Sequence, residues 1–277
     1  MPRRRKDDRV SQAETSSAVQ VALVTGASSG IGWGCAEKFA AMGMSVVGVG
    51  RDAEKLDALG AVLDIGERYA PLACDVMGDD APRRIVEFAV GRYGHINFLI
   101  NNAGIGRPKP LHETDDETLD YFLGLMLRAP FRLCRESLPH MPPGSAMINV
   151  TSTFSVVGGL RGGAYSAAKA GLHGLTTHIA CQYGATGVRA NSVAPGVTDT
   201  PMTAGRLDDE GFRKINVEMT PHTRLGTVND IASTIAFLCS PGGEFINGQE
   251  IVVDGGWSTT KYLSDFGRSA KWVAREE

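Results

Sequence analysis

A short apolar strand that runs straight into a glycine turn and then a helix constrains this chain more than any other feature. Val19-Gln20-Val21-Ala22-Leu23-Val24-Thr25 is rich in valine and reads as a buried strand. Gly26-Ala27-Ser28-Ser29-Gly30-Ile31-Gly32 follows at once, and a helix-like stretch from Trp33 to Met42 closes at Gly43. Glycines let the backbone turn sharply and approach a ligand closely. The helix N-terminus offers free N–H groups and a positive dipole end to a pyrophosphate. Strand, glycine turn and helix in that order make a candidate dinucleotide phosphate site, where a lone glycine cluster would mean little. Its residues are Gly26, Ser28, Ser29, Gly30, Ile31 and Gly32.

The rest of the chain alternates strand and helix, as a doubly wound parallel sheet requires. The expected fold class is α/β, a single domain on a seven-stranded parallel sheet. Strands are expected at 21–25, 45–50, 70–74, 98–101, 146–151, 189–193 and 250–253. Helices are expected at 31–42, 53–60, 81–93, 116–140, 164–183 and 228–239. The 277 residues suffice for one large domain, and a 43% hydrophobic content supports a core. The expected boundaries are a disordered tail over 1–18, a domain over 19–257 and an extension over 258–277. The stretch Gly196 to Thr227 is irregular, with Pro201, Gly205, Gly211 and Pro221, and a segment that long is usually functional or mobile.

A net charge of −3 argues against nucleic acid or an anionic membrane as a partner. The basic cluster Arg3-Arg4-Arg5-Lys6 is followed at once by Asp7 and Asp8. No apolar run approaches the ~20 residues needed to span a bilayer, and the first 18 residues lack the apolar core of a secretory signal. Five scattered cysteines (Cys35, Cys74, Cys134, Cys181, Cys239) read as buried, reduced thiols of a cytoplasmic protein. His140, His173 and His178 read as ordinary helix residues, and no metal site is expected.

The chemistry is expected at Tyr165 and Lys169, in Gly163-Ala164-Tyr165-Ser166-Ala167-Ala168-Lys169, with Ser152 thirteen residues before the tyrosine. Helix positions i and i+4 share a face, roughly 5–6 Å apart at Cβ. An ammonium that close to a phenol should lower its pKa from about 10. A tyrosine so tuned exchanges protons near neutral pH, and Ser152 can hydrogen-bond the same substrate oxygen. The spacing also occurs on plain solvated helix faces, so it carries weight only beside the glycine turn.

Together these motifs resemble the short-chain dehydrogenase/reductase family, in particular members like 3-oxoacyl-[acyl-carrier-protein] reductase. The turn has the spacing Gly-x-x-x-Gly-x-Gly. Asn101-Asn102-Ala103-Gly104 follows the strand Phe98-Leu99-Ile100. Arg189 to Gly196 and Val252-Val253-Asp254-Gly255-Gly256 complete the set, from Val19 to Trp257. The resemblance implies a Rossmann fold and an NAD(P)(H)-dependent oxidoreductase that interconverts a small-molecule ketone and a secondary alcohol. Ser152, Tyr165 and Lys169 would be catalytic. Tyr165 would handle the oxygen-bound proton, and Lys169 would also bind the nicotinamide ribose. Asn102, Ala103 and Gly104 would line the cofactor groove. Asp75 and Val76 would contact the adenine, and Pro195, Gly196 and Thr198 would position the nicotinamide amide. Asp75 could equally serve a turn or helix cap.

Charge bears on cofactor choice. A carboxylate at the end of the second strand would hold the adenosine ribose hydroxyls and repel a 2′-phosphate. Gly50 holds that position and Arg51 follows, so NADP(H) is expected, with NAD(H) the alternative should Asp52 be the ribose ligand. One departure stands out. Many relatives carry an asparagine inside the fourth long helix that holds a water linking the lysine to solvent, and here the position is Met126. A thioether barely accepts a hydrogen bond and donates none. Either water and backbone carbonyls keep that relay alive, or the chain binds cofactor and catalyses weakly, in a regulatory or binding role.

Apolar positions on several faces of the long helices, including Phe122, Leu123, Phe131, Leu133, Leu172 and Leu175, predict a homo-oligomer, a dimer or tetramer. Tyr262, Leu263, Phe266, Trp272 and Val273 suggest that the C-terminal extension docks on a neighbouring subunit, near the substrate mouth or on its own domain. The resemblance also implies that the stretch after Gly196 forms a lid over the substrate rather than a plain surface loop, and that this lid and the segment Phe154–Gly163 set specificity. Arg107, Lys109 and Arg161 are surface charges that could meet an acyl carrier or a carboxylate. A 3-oxoacyl thioester, a steroid-like alcohol, a cyclic diol and a sugar all remain open.

Overall fold

In the computed structural model, residues 19–106, 109–159, 161–222 and 224–259 are described. The expectations for the tail over 1–18, for Arg107, for Leu160 and for the extension beyond Thr259 lie outside them. The strands are β1 Val21–Thr25, β2 Ser45–Gly50, β3 Tyr69–Ala73, β4 Phe98–Asn101, β5 Ala146–Val150, β6 Arg189–Pro195 and β7 Glu250–Val253. The helices are α1 Gly30–Ala41, α2 Ala53–Leu63, α3 Ala81–Tyr93, α4 Asp116–Leu123, α5 Ala129–Ser137, α6 Gly163–Tyr183, α7 Glu210–Arg213 and α8 Val228–Leu238. Among the described residues the strands form one parallel sheet in the order β3-β2-β1-β4-β5-β6-β7.

Continuous apolar runs fit this sheet because helices cover both of its faces. Successive residues divide between two cores with the period of a strand. Val21, Leu23, Leu99 and Met147 join one core, together with residues of α3, α5 and α6. Ala22, Val24, Ile100 and Ile148 join the other, under α1, α2 and α8. The chain winds outward from β1 to β3 and then returns to the other side of β1 at β4. That reversal opens a crevice at the carboxyl ends of β1 and β4, where open α/β sheets bind ligands.

Not all five thiols are buried: Cys181 is exposed on the solvent side of α6 and Cys74 is half-buried just past the end of β3. Three expectations about the elements also need correction. β3 starts at Tyr69 rather than Ala70 and ends at Ala73. Tyr69 is drawn into the strand because its ring lies over Gly48 and Gly60, and its hydroxyl donates to the Leu56 carbonyl (3.0 Å). β6 extends through Pro195, paired with Val253. The helix expected over 116–140 is broken by a π turn at Gly124–Arg128, where the Ala129 N–H reaches back to the Gly124 carbonyl. Pro130 supplies the reason. It has no N–H for the Met126 carbonyl, so a regular α-helix could not run through unaltered.

Candidate active site

The glycine turn is fixed by excluded volume. A Cβ on Gly32 would lie 2.2 Å from the Gly26 carbonyl oxygen, and one on Gly26 would lie 2.8 Å from Asn102 Nδ2. Gly26 (φ 67°) and Gly30 (φ 56°) also take left-handed conformations. Asn102 Nδ2 donates to the carbonyls of Thr25 (3.0 Å) and Gly26 (3.3 Å), which sews β4 to the turn. Thr25 Oγ1 accepts the N–H groups of Asn102 (3.0 Å) and Ala103 (3.1 Å). Ser29 sits at the N-cap of α1 in extended backbone, and its side chain does not cap the helix. The first turn of α1 therefore presents uncapped N–H groups in a cradle that a side chain would fill. This donor set suits a dinucleotide pyrophosphate.

At the end of β2, a Cβ on Gly50 would meet Ser28 Oγ at 3.0 Å, and Arg51 is exposed beside it. Asp52 caps α2, accepting from the Lys55 N–H (3.1 Å) and pairing with Lys55 Nζ (3.0 Å). Its carboxylate is thus engaged locally, held below its ordinary range mainly by the Lys55 N–H. Asp75 Oδ1 accepts from the Met77 N–H (3.0 Å) in a tight turn, while Val76 is buried. At the far side, the Gly196 N–H donates to Val253 (3.0 Å), and buried Thr198 donates to the Gly196 carbonyl (3.1 Å).

Ser152, Tyr165 and Lys169 come together where β5 meets the start of α6. Ser152 is extended (φ −167°), and its Oγ accepts from the Phe154 N–H (3.2 Å). The Phe122 ring meets Tyr165 edge-on (6.4 Å between centroids) and fixes it. Lys169 is 4% exposed; its Nζ donates to the Val150 carbonyl (2.7 Å) and lies 5.8 Å from the centre of the Tyr165 ring. Burial pushes Lys169 down to about 8. Burial also raises the Tyr165 phenol above its ordinary value, although a hydrogen bond from Ser152 pulls it back. That reverses the direction expected from the Tyr-x-x-x-Lys spacing, because desolvation costs the phenolate more than these neighbours return.

Met126 is fully buried in the π turn, and a Cβ on Gly104 would lie 3.3 Å from its Sδ. An apolar thioether thus backs the groove beside Gly104. Side chains far apart in sequence also meet around the site. Phe154 and Trp257 pack edge to face (6.1 Å), and Trp257 Nε1 donates to the Ile215 carbonyl (2.8 Å). Arg206 donates to the Gly106 carbonyl (3.3 Å). Lys109 pairs with Asp115 (3.4 Å) on the surface. Thr25, whose hydroxyl joins β1 to β4, has a signal in the sequence: a threonine that ends a valine run just before a glycine turn. Among the described residues no cluster of ligands could hold a metal, and no helix is long and apolar enough to cross a membrane.

Comparison with known proteins matches this geometry. Residues 26–258 fit the family model described as enoyl-(acyl carrier protein) reductase. The chain is 38% identical over 245 residues to cis-4-hydroxycyclohexanecarboxylate dehydrogenase of Sinomonas cyclohexanicum, covering 87% of this chain and 97% of that one. A short-chain dehydrogenase from Burkholderia cenocepacia, solved with NADP, superposes with a TM-score of 0.81 at 30% identity, over 86% of this chain and 97% of that one. The 3-ketoacyl-(acyl-carrier-protein) reductase of Brucella melitensis, solved with NADH, gives 0.78 at 30% identity, over 86% and 98%. This chain belongs to the short-chain dehydrogenase/reductase family of oxidoreductases.

Proposed function

We propose that the chain reduces a small-molecule ketone to a secondary alcohol with NADPH, through Ser152, Tyr165 and Lys169. The observation that carries this reading is the convergence of those three side chains at the carboxyl end of the sheet, next to the cradle at Gly26 and Gly32. Gly26, Ser28, Ser29, Gly30, Ile31 and Gly32 would hold the pyrophosphate. Asp75 and Val76 would border the adenine, Asn102, Ala103 and Gly104 would line the groove, and Pro195, Gly196 and Thr198 would flank the nicotinamide. Arg51 would pair with a 2′-phosphate, which the engagement of Asp52 with Lys55 favours. Relatives solved with NADP, NADPH and NADH support the cofactor class.

When bound, the nicotinamide supplies the hydride for the carbonyl carbon. Tyr165 then gives its hydroxyl proton to the carbonyl oxygen. The raised phenol pKa keeps that proton in place at neutral pH, which is the form a reductase needs. Ser152 Oγ accepts from Phe154, so its one proton would turn from the Tyr165 phenol to the same oxygen when substrate is bound. The Lys169 ammonium offsets the charge that forms on Tyr165. With Lys169 near 8, reduction should fall as pH rises through about 8 and the ammonium is lost; a flat kcat from pH 7 to 9.5 would exclude Lys169 from that role.

A second reading, cofactor binding with weak catalysis, rests on buried Met126 beside Gly104. Exposed Phe131, Phe237 and Phe245 support a homo-oligomer. We also infer a cytoplasmic protein, with residues 19–257 as one domain. The experiment is NADPH consumption, with NADH in parallel, over 4-oxocyclohexanecarboxylate, a 3-oxosteroid, tropinone and 3-oxoacyl thioesters. Turnover with NADPH is the expected result. Tight NADPH binding with no turnover on any of them would leave the second reading.

A further inference from the structure

We propose that Glu250 is a positioning residue for Ser152: its carboxylate ties together the hydroxyls of Thr151 and Ser155, on either side of that serine. The proposal rests on the reading of Ser152 as part of the chemistry. Glu250 opens β7, two strands away from β5, with a side chain 12% exposed. Its Oε1 accepts from Thr151 Oγ1 (2.7 Å) and from Ser155 Oγ (2.7 Å). Thr151 Oγ1 also lies within reach of the Val193 carbonyl (3.1 Å), and Ser155 Oγ within reach of the Ser152 carbonyl (2.5 Å). Each hydroxyl has one proton to give, and a carboxylate is the stronger acceptor. One side chain therefore holds the five residues from Thr151 to Ser155, with Ser152 between its two attachment points.

Glu250 lies beside a hydrogen-bonded cluster that reaches α6. Thr176 Oγ1 donates to the Leu172 carbonyl (2.9 Å), so it accepts from Ser192 Oγ (2.9 Å) and Asn149 Nδ2 (2.8 Å). The one proton of Ser192 is thereby committed, which makes His173 Nδ1 the donor to Ser192 Oγ (3.3 Å). The same Nδ1 lies 4.0 Å from Glu250 Oε2. His173 sits one turn after Lys169 on α6, so this cluster links the helix that carries Tyr165 and Lys169 to the loop that carries Ser152. A catalytic hydroxyl on a loop needs such support, since a displacement near 1 Å can cost about a hundredfold in rate.

Two readouts test this. The Phe154 N–H donates to Ser152 Oγ, so its hydrogen exchange reports where that hydroxyl sits. Glu250→Leu should speed exchange at Phe154 by about tenfold or more. It should also lower kcat for NADPH-driven reduction of 4-oxocyclohexanecarboxylate by about tenfold or more, with KM for NADPH little changed. Glu250→Gln keeps an acceptor oxygen and should stay within about threefold of wild type on both. Ser155→Ala is the milder variant, and adding it to Glu250→Leu should cost no more than Glu250→Leu alone, as expected of residues acting through one contact. Unchanged exchange at Phe154 in Glu250→Leu, or a Gln variant as impaired as the Leu variant, overturns the proposal. A Ser152→Ala variant with wild-type kcat would instead overturn the catalytic reading, and the exchange data would still decide what holds the serine.

Discussion

The crevice between β1 and β4 and the segment from Gly196 to Thr227 face each other across the site, and they are built by opposite means. Around Gly26 and Gly32 the backbone itself makes the shape. A Cβ at Gly32 would stand 2.2 Å from a carbonyl oxygen, so no side chain fits without moving a strand end. In the other segment, a Cβ on Gly205 would meet nothing within 4 Å. Its described residues form short 3₁₀ and π turns and α7; backbone bonds such as the Asp199 N–H to the Gly226 carbonyl (2.8 Å) pin its ends, and side-chain bonds such as Thr203 to the Thr198 carbonyl (2.6 Å) and Trp257 to Ile215 hold the rest. Excluded volume admits one solution, whereas isolated side-chain ties can be exchanged for others. The first region therefore suits an invariant ligand such as a cofactor, and the second suits a substrate that differs between relatives.

The largest expected effect lies where the two regions meet. Tyr165→Phe removes the proposed proton donor but keeps the ring against Phe122, so kcat should fall by about 10²–10⁴ while NADPH affinity stays within about threefold. A matching loss of NADPH affinity would mean that Tyr165 belongs to the cofactor side alone. The comparison itself is put at risk by two alanines. Gly32→Ala should weaken NADPH binding by about tenfold or more and cost about 1–3 kcal/mol of stability, as overpacking does. Gly205→Ala should change stability by less than about 0.5 kcal/mol. Equal losses in thermal melts would break the distinction.

Most of the fold could be read from the sequence because its signals are local. Valine runs ending at Thr25 and Gly50 bound β1 and β2, and the glycine turn could be placed by its neighbours alone. The misplaced pieces depended on distant partners. Tyr69 joins β3 because Gly48 and Gly60 leave room for its ring. The π turn had a local clue in Pro130, but its consequence for Met126 needed the packing against Gly104. Ser152, Tyr165 and Lys169 were visible as a spacing, yet the direction of the Tyr165 shift was not, since desolvation depends on everything packed around the phenol. Glu250 lies about a hundred residues from Thr151, and no spacing rule joins them.

A smaller effect should separate the two cofactors. Arg51 is exposed beside Gly50, so Arg51→Ala should weaken NADPH binding by about tenfold, the value of one charge-assisted contact, and leave NADH unchanged. Equal weakening of both would place Arg51 away from the 2′-phosphate.

The smallest effect on turnover should come from Met126→Asn, at a side chain packed against Gly104. Met126 is fully buried, and its sulfur neither donates nor usefully accepts a proton. If water and backbone carbonyls already connect Lys169 to solvent, an amide at this position adds a route without removing one. Turnover should then stay within about threefold of wild type or rise, while an amide without a full set of partners should lower stability by about 1–3 kcal/mol. Thermal melts and kcat measured on the same preparation separate the two. A fall in kcat beyond about tenfold with the fold intact would show that the thioether is needed where it is, packed under Gly104, and that this site has a proton path of its own rather than a damaged copy of its relatives'.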